Sequence, residues 1–142
     1  MTKKKRVHLG KLATKYTFFL NPYIDTRFSY CPQCERPMKV RKHPFFIHVD
    51  PNQVVVLNMN GRYCPHCDLL ILHQDKVEEL LTAALMLRDA RLLGNQYMIV
   101  GTVECQGWQQ AQKEPYNLQA VFDNLHDFEE VVDFKPAHYG RG

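Results

Sequence analysis

The sequence predicts an α+β fold, with antiparallel strands in the first half followed by an amphipathic helix and a further strand. Three observations carry this expectation. A short cysteine motif stands twice, at residues 30–35 and 63–68. Around the two copies lie aromatic and β-branched runs, punctuated by proline and asparagine. From Asp75 onward the apolar residues recur at a helical period instead of alternating.

In chain order, residues 1–15 form a basic, poorly patterned arm, residues 16–134 a single domain, and residues 135–142 a tail. Residues 16–20 are aromatic and β-prone, and Asn21-Pro22 stops them, because a residue before proline avoids the helical region. A short strand is expected over 26–30. Residues 38–43 and 45–49 read as extended, with Pro44 between them marking an edge strand or a bulge. Asp50-Pro51-Asn52 is a turn signal. The run 54–59 leads through Asn60-Gly61 to the second motif, and 69–72 is another short strand.

A helix is expected over 75–93. Asp75 serves as its cap, with Glu78 three residues on as in a capping box. Val77, Leu80, Leu81, Ala84, Leu85 and Leu92 share one face, and Gly94 ends the helix. Residues 97–105 read as a strand, with Cys105 a small buried residue. Residues 121–132 are acidic and weakly helical, with Phe122, Leu125 and Phe128 at three-residue steps.

The two motif copies read Tyr-Cys-Pro-Gln-Cys-Glu and Tyr-Cys-Pro-His-Cys-Asp, and 29 residues separate Cys34 from Cys64. Two cysteines three positions apart on a tight turn aim both sulfurs inward. Proline after the first cysteine fixes φ and stiffens that turn. Two such turns, face to face, complete a tetrahedron of thiolates with Zn–S near ~2.3 Å. Cys31, Cys34, Cys64 and Cys67 are therefore the predicted metal ligands, holding one zinc ion (Zn2+) per chain. Four sulfurs leave no position for water, so the site is structural rather than catalytic. Ligand type alone leaves iron open. Free core thiols or a disulfide fit a repeated CPxC less well. His43, His48 and His73 flank the motifs and His66 lies inside the second. With four cysteines available, none is needed as a ligand, and His66 is expected to face solvent.

Over residues 26–73 these motifs resemble the zinc ribbon superfamily, small β-folds built from two CPxC knuckles. The resemblance implies a structural zinc and leaves function open, since zinc ribbons serve transcription, translation, replication and protein docking. The ligand spacing is also similar to that of rubredoxin, which implies iron and electron transfer. The whole chain resembles short bacterial proteins built on such ribbons, which assigns no activity. Many ribbons carry glycine after the second cysteine, where the backbone tends to a left-handed conformation. Glu35 and Asp68 stand there instead. Asp tolerates that region better than Glu, so the first knuckle is expected to be strained or differently turned.

Composition narrows the function classes. An apolar fraction of 45% and an aromatic fraction of 11% suit a folded globular chain. No segment reaches the roughly 18 apolar residues that span a bilayer, and the start does not read as a signal peptide. Two CxxC pairs with an odd cysteine suit a reducing compartment, so a cytoplasmic protein without membrane contact is expected. No phosphate loop and no hydrolase or metalloprotease motif is present, so a non-enzymatic role is expected. Charge is unevenly spread. Residues 1–42 hold eleven of the eighteen Lys and Arg against two acids, a net of +9, while residues 43–142 carry a net of −6. Lys3, Lys4, Lys5 and Arg6 in the arm, with Arg36, Lys39, Arg41 and Lys42 past the first knuckle, are the candidate nucleic-acid-binding residues. Basic charge interleaved with aromatics is what single-stranded DNA or RNA favours. Three alternatives stand beside it: a solvated basic face, bases neutralising the thiolate site, and an adaptor that binds another protein.

Overall fold

A computed structural model of the chain describes residues 9–112 and 117–135. Lys3, Lys4, Lys5 and Arg6 of the arm, and residues 136–142 of the tail, lie outside the described residues. In chain order the elements are β1 (Thr17–Asn21), β2 (Lys39–Val49), β3 (Gln53–Cys64), β4 (Leu69–His73) and α1 (Gln74–Arg88). A single 3-10 turn (Ala90–Leu92) follows, then β5 (Tyr97–Val103), α2 (Cys105–Ala111), α3 (Leu118–Asp123), β6 (Leu125–Asp127) and β7 (Glu130–Val131). The strands form one mixed seven-stranded sheet in the order β6-β5-β2-β3-β4-β1-β7, curled into a half-barrel. β1 runs parallel to β4 and β7, and the other neighbours are antiparallel.

The α+β class is as expected, but the sheet extends well beyond a ribbon and one further strand. Its spine is the β2–β3 hairpin, paired from Lys39↔Tyr63 to Val49↔Gln53. β2 runs unbroken through Pro44. That proline stands one residue before the stretch β2 shares with β5, which begins at Phe45. Up to there β2 has only β3 beside it among the described residues, so the missing N–H interrupts no second ladder there. The strand expected over 26–30 is reduced to one bridge, Tyr30↔Pro37. Phe28 in that segment instead buries itself beneath the cysteines.

The curl has a covalent cause. β6 and β7 lie at opposite edges of the sheet, yet only Phe128 and Glu129 separate them in the chain. Such a link spans at most about 11 Å, so the two edges must come together. The Phe128 N–H donates to the Val100 carbonyl of β5 (2.9 Å), and the next amide, of Glu129, donates to the Tyr16 carbonyl beside β1 (2.8 Å). Inside the curl the Phe128 ring stacks on Phe18 at 4.3 Å. The reading of 121–132 as one weak helix is corrected accordingly. Phe122 packs on Phe46 of β2 in a side cluster, whereas Phe128 enters the main core, so the three-residue steps reflect two different clusters.

α1 covers the open side of the curl, burying Val77, Leu81 and Leu85. It ends at Arg88, five residues short of the expected bound. Asp89 is extended there, and its carboxylate accepts the Arg91 N–H to start the 3-10 turn. Leu92 is buried in the same core as α1, which is why the apolar period runs past the true end. Gly94, at φ +83°, closes the segment after that turn. The expected capping box is absent: His73 is the N-cap and makes no side-chain bond, and Asp75 lies in the first turn. The Glu78 carboxylate instead accepts from the Tyr97 hydroxyl (2.8 Å) and the Gln74 amide (2.9 Å). β5 ends at Val103, so Cys105 opens α2 and is exposed rather than buried on a strand.

Residues 9–15 run beside β6. The Asp127 carboxylate, 3% exposed, accepts the N–H groups of Leu9 (3.0 Å) and Gly10 (2.7 Å). A side chain at Gly10 would meet the Leu125 carbonyl at 2.0 Å, so only glycine allows this approach.

His43 on β2 is half-buried between Tyr16 and Phe45. Burial, then the charges of Lys15 and Arg41, hold its imidazole below the ordinary range. The folded state thus prefers neutral His43, while an unfolded chain takes up the proton below about pH 6.5. This contribution to stability is complete above that pH and is lost as pH falls below it. His43→Phe should flatten the part of the pH profile between about pH 6.5 and 5.5. Urea midpoints of the two proteins at both pH values would read the difference. Parallel profiles would mean that His43 does not carry the dependence.

Candidate metal centre

The hairpin register assembles the cysteines. With Lys39 opposite Tyr63, the end of the first knuckle is brought alongside the start of the second. The first knuckle closes through Glu35 N–H to Cys31 O (2.8 Å) and Cys31 N–H to Arg36 O (2.7 Å). The second is the turn from β3 to β4, closed at Cys64↔Leu69. All four Sγ atoms lie within 4.8 Å of one another. Cys31 and Cys67 are 3.9 Å apart, and Cys34 and Cys64 3.5 Å. A disulfide needs about 2.05 Å. The edge of a thiolate tetrahedron around a ~2.3 Å metal–sulfur bond is about 3.8 Å. The separations therefore match ligands around an ion and exclude bonded pairs.

Cys31 and Cys64 are buried on Phe19, Phe28, Met38, Leu69 and Ile71, while Cys34 and Cys67 are half-buried. Burial, then bonds with Cys34 and Cys31, pushes the Cys67 thiol up to about 12. Burial also pushes Cys31 up. At Cys34 burial is outweighed by the Arg36 amide and the neighbouring sulfurs, and the thiol comes down. Four thiolates this close need a cation to coexist, and a cation with four sulfurs has no place left for water. The Gln33 N–H points at the Cys31 sulfur (3.4 Å), as a knuckle amide does toward a thiolate.

Both residues after the second cysteine are left-handed: Glu35 at φ +66° and Asp68 at φ +56°. Asp68 is well supported. Its carboxylate accepts from the Tyr63 hydroxyl (2.8 Å), and its carbonyl accepts from Thr17 N–H in β1 (2.9 Å). Burial, then this bond, pushes the Tyr63 phenol up to about 12. The Glu35 carboxylate has no partner among the described residues. Glu35→Gly should thus stabilise the metal-bound protein by about 0.5–1 kcal/mol, the left-handed cost less the entropy glycine adds to the unfolded chain. Asp68→Gly should instead cost about 1 kcal/mol, because the Tyr63 bond is lost. Denaturant midpoints would compare the two, and equal shifts would contradict the difference in support.

His66 is exposed, but it does more than face water. Its Nδ1 accepts from Arg36 Nη1 at 3.0 Å, so the pair reaches across the two knuckles. Among the described residues, His43, His48 and His73 take no part in the cluster. Arg36, Lys39, Arg41 and Lys42 are all exposed. Alternation sends Lys39 and Arg41 to one face of the hairpin and Lys42 to the other. The Arg41 guanidinium lies over the Tyr63 ring, 5.3 Å from its centroid. None of the four pairs with an acid among the described residues. In contrast, Lys11 of the arm is paired with Asp123 (3.2 Å). Two cations escaped the sequence reading. Arg62 stands directly opposite Val40, and Arg27, in the loop after β1, lines a cleft together with both. Arg62 was detectable only through the hairpin register. Tyr30, 63% exposed, presents an aromatic face beside the first knuckle.

No protein-family model, curated protein or solved structure matches the chain. No helix among the described residues is long and apolar enough to cross a membrane.

Proposed function

We propose that this chain is a non-enzymatic nucleic-acid-binding protein whose binding edge is organised by a structural four-cysteine zinc site of the zinc-ribbon kind. The observation that carries the reading is the set of exposed cations Arg36, Lys39, Arg41 and Lys42, unpaired with acids among the described residues, beside the first knuckle. Among the described residues, the strand from Lys39 to His43 has β3 on one side and no sheet neighbour on the other, and Lys39 to Lys42 are exposed. Phosphates meet charge there, and Tyr30 offers a surface for a base. The zinc fixes the knuckles and so the position of Arg36, and it takes no part in chemistry.

The test is binding of a single-stranded oligonucleotide as a function of salt. Each phosphate neutralised adds about 0.7 to the slope of log affinity against log salt. Lys39→Gln with Lys42→Gln should flatten the slope by about 1.4 and leave the metal content unchanged. Absence of binding at low salt would overturn the reading. Elemental analysis should find one zinc per chain in a colourless protein, and a red protein would turn the assignment to iron. A second reading, a protein-docking adaptor, is favoured by Met86 and Leu87 on α1, 64% and 89% exposed.

A further inference from the structure

β3 and β4 stay paired only between Arg62–Cys64 and Leu69–Ile71. Beyond Arg62 they part, because β4 turns directly into α1. A cleft of about 460 Å³ opens in this fork. Its floor includes Phe28, Met59 and Ile71, all buried, while Ile24 and Val40 at its mouth are 68% and 57% exposed. Single exposed apolar side chains are ordinary on a surface, but two at the mouth of one cleft leave it greasy where it meets water.

Charge in the cleft is graded. Arg27 comes from the loop after β1 and Arg62 from β3, and neither has an acid partner among the described residues. The acids, Asp75 and Glu79, both come from α1, and Glu79 is taken by Lys76 at 3.1 Å. The side from the β1 loop and β3 is thus cationic, the middle apolar, and the α1 side mixed, with Asp75 beside the Lys76–Glu79 pair. The cleft also adjoins the basic edge. Val40 stands between Lys39 and Arg41 in β2, directly across from Arg62. Lys42, opposite Asn60, lies on the same face of the hairpin as Val40 and Arg62.

We propose that this cleft seats one unstacked base of a bound single strand, with an adjoining phosphate on Arg27 and Arg62 and the base against Ile24, Val40 and Met59. The proposal rests on the nucleic-acid reading above and adds to it a preference for strands that carry bases free to leave the stack. A base has two apolar faces and a polar rim. The cleft offers apolar walls, and the Asn60 side chain supplies an amide at its border. Its volume falls within the roughly 300–1,000 Å³ of pockets that enclose small ligands. A base in a duplex must first be flipped out, whereas a single strand presents it at little cost.

The experiment compares a thymidine oligonucleotide of about ten nucleotides with an abasic strand of the same length and charge, using fluorescence anisotropy at one salt concentration. The wild-type protein should bind the thymidine strand at least about tenfold more tightly. The double variant Ile24→Ser, Val40→Ser should lose that preference while keeping the salt slope and zinc content. Both side chains are exposed, so the fold does not depend on them. Arg62→Gln should lower the slope by about 0.7 on either strand. Equal wild-type affinity for the two strands would overturn the base seat and leave the nucleic-acid reading standing. A preference that survives in the double variant would overturn the seat as well, with Tyr30 the next place to look. No binding of either strand at low salt would overturn both.

Discussion

Cys64→Ser should strip the metal from the chain and loosen the knuckle end of the sheet before the α1 end. The Cys64 sulfur is fully buried and 3.5 Å from that of Cys34, so no water-filled position exists to replace it as a ligand. Structural four-ligand zinc sites contribute roughly 10–16 kcal/mol of apparent binding free energy that appears as folding free energy. What this holds in place is local. Residues 31–38 are tied beyond their own knuckle by Met38 N–H to Ser29 O (2.9 Å), the Tyr30–Pro37 bridge and the Arg36–His66 bond (3.0 Å), the last of which joins only the other knuckle. The apolar cluster beneath the cysteines is distinct from the one that receives α1. β1 and β4 feed both, since Phe18, Leu70 and Leu72 point to the α1 side while Phe19, Leu69 and Ile71 point to the cysteines. Hydrogen exchange on the variant should therefore show protection lost first at 31–38 and 64–68. It should be partly lost in β1 and β4, and kept at Val77, Leu81 and Leu85. Equal loss everywhere would mean that the two clusters unfold as one unit.

Phe128→Ala is expected to cost about 3–5 kcal/mol, the usual range for removing a fully buried aromatic. The ring is 2% exposed and stacks on Phe18, with Phe45 next to it at 6.5 Å. It fills the middle of the curl at the point where the chain steps from one edge of the sheet to the other, so neighbours held by that step cannot simply collapse into the space. A urea titration should show the midpoint falling, and protection of the β7 and β1 amides should fall with it. A cost under about 1 kcal/mol would mean that backbone bonds at Val100 and Tyr16 hold the curl without the ring.

Features that depend on neighbours in the chain were legible in the sequence. The four-cysteine cluster follows from a spacing of three residues within each turn. The left-handed residues after each second cysteine follow from where zinc ribbons, which the motifs resemble, carry glycine. The buried face of α1 follows from its period. Features set by distant partners were not legible. β6 and β7 are three and two residues long and exist only because β5 and β1 lie beside them. Their residues, read alone, give a weak helix. The end of α1 was hidden because Leu92 returns to the same core after the helix has stopped. The fork cleft depends on where β3 and β4 cease to pair, and no local signal marks that point. The basic residues were visible as a count, but their freedom from acid partners had to be seen in three dimensions.

The meeting of β6 and β7 also bears on how copies of this chain behave in a crowded solution. A flat sheet of seven strands would expose two rows of unpaired amides, a template on which further copies stack strand by strand. Here one edge is a strand of two residues, and the other is bridged by the incoming chain at Leu12. A further rim inside the sheet, 39–43 of β2, bears Lys39, Arg41 and Lys42, and like charges keep a second copy from docking there. Resistance to fibrous self-association is therefore built into the topology at the two outer edges and into charge along 39–43 of β2.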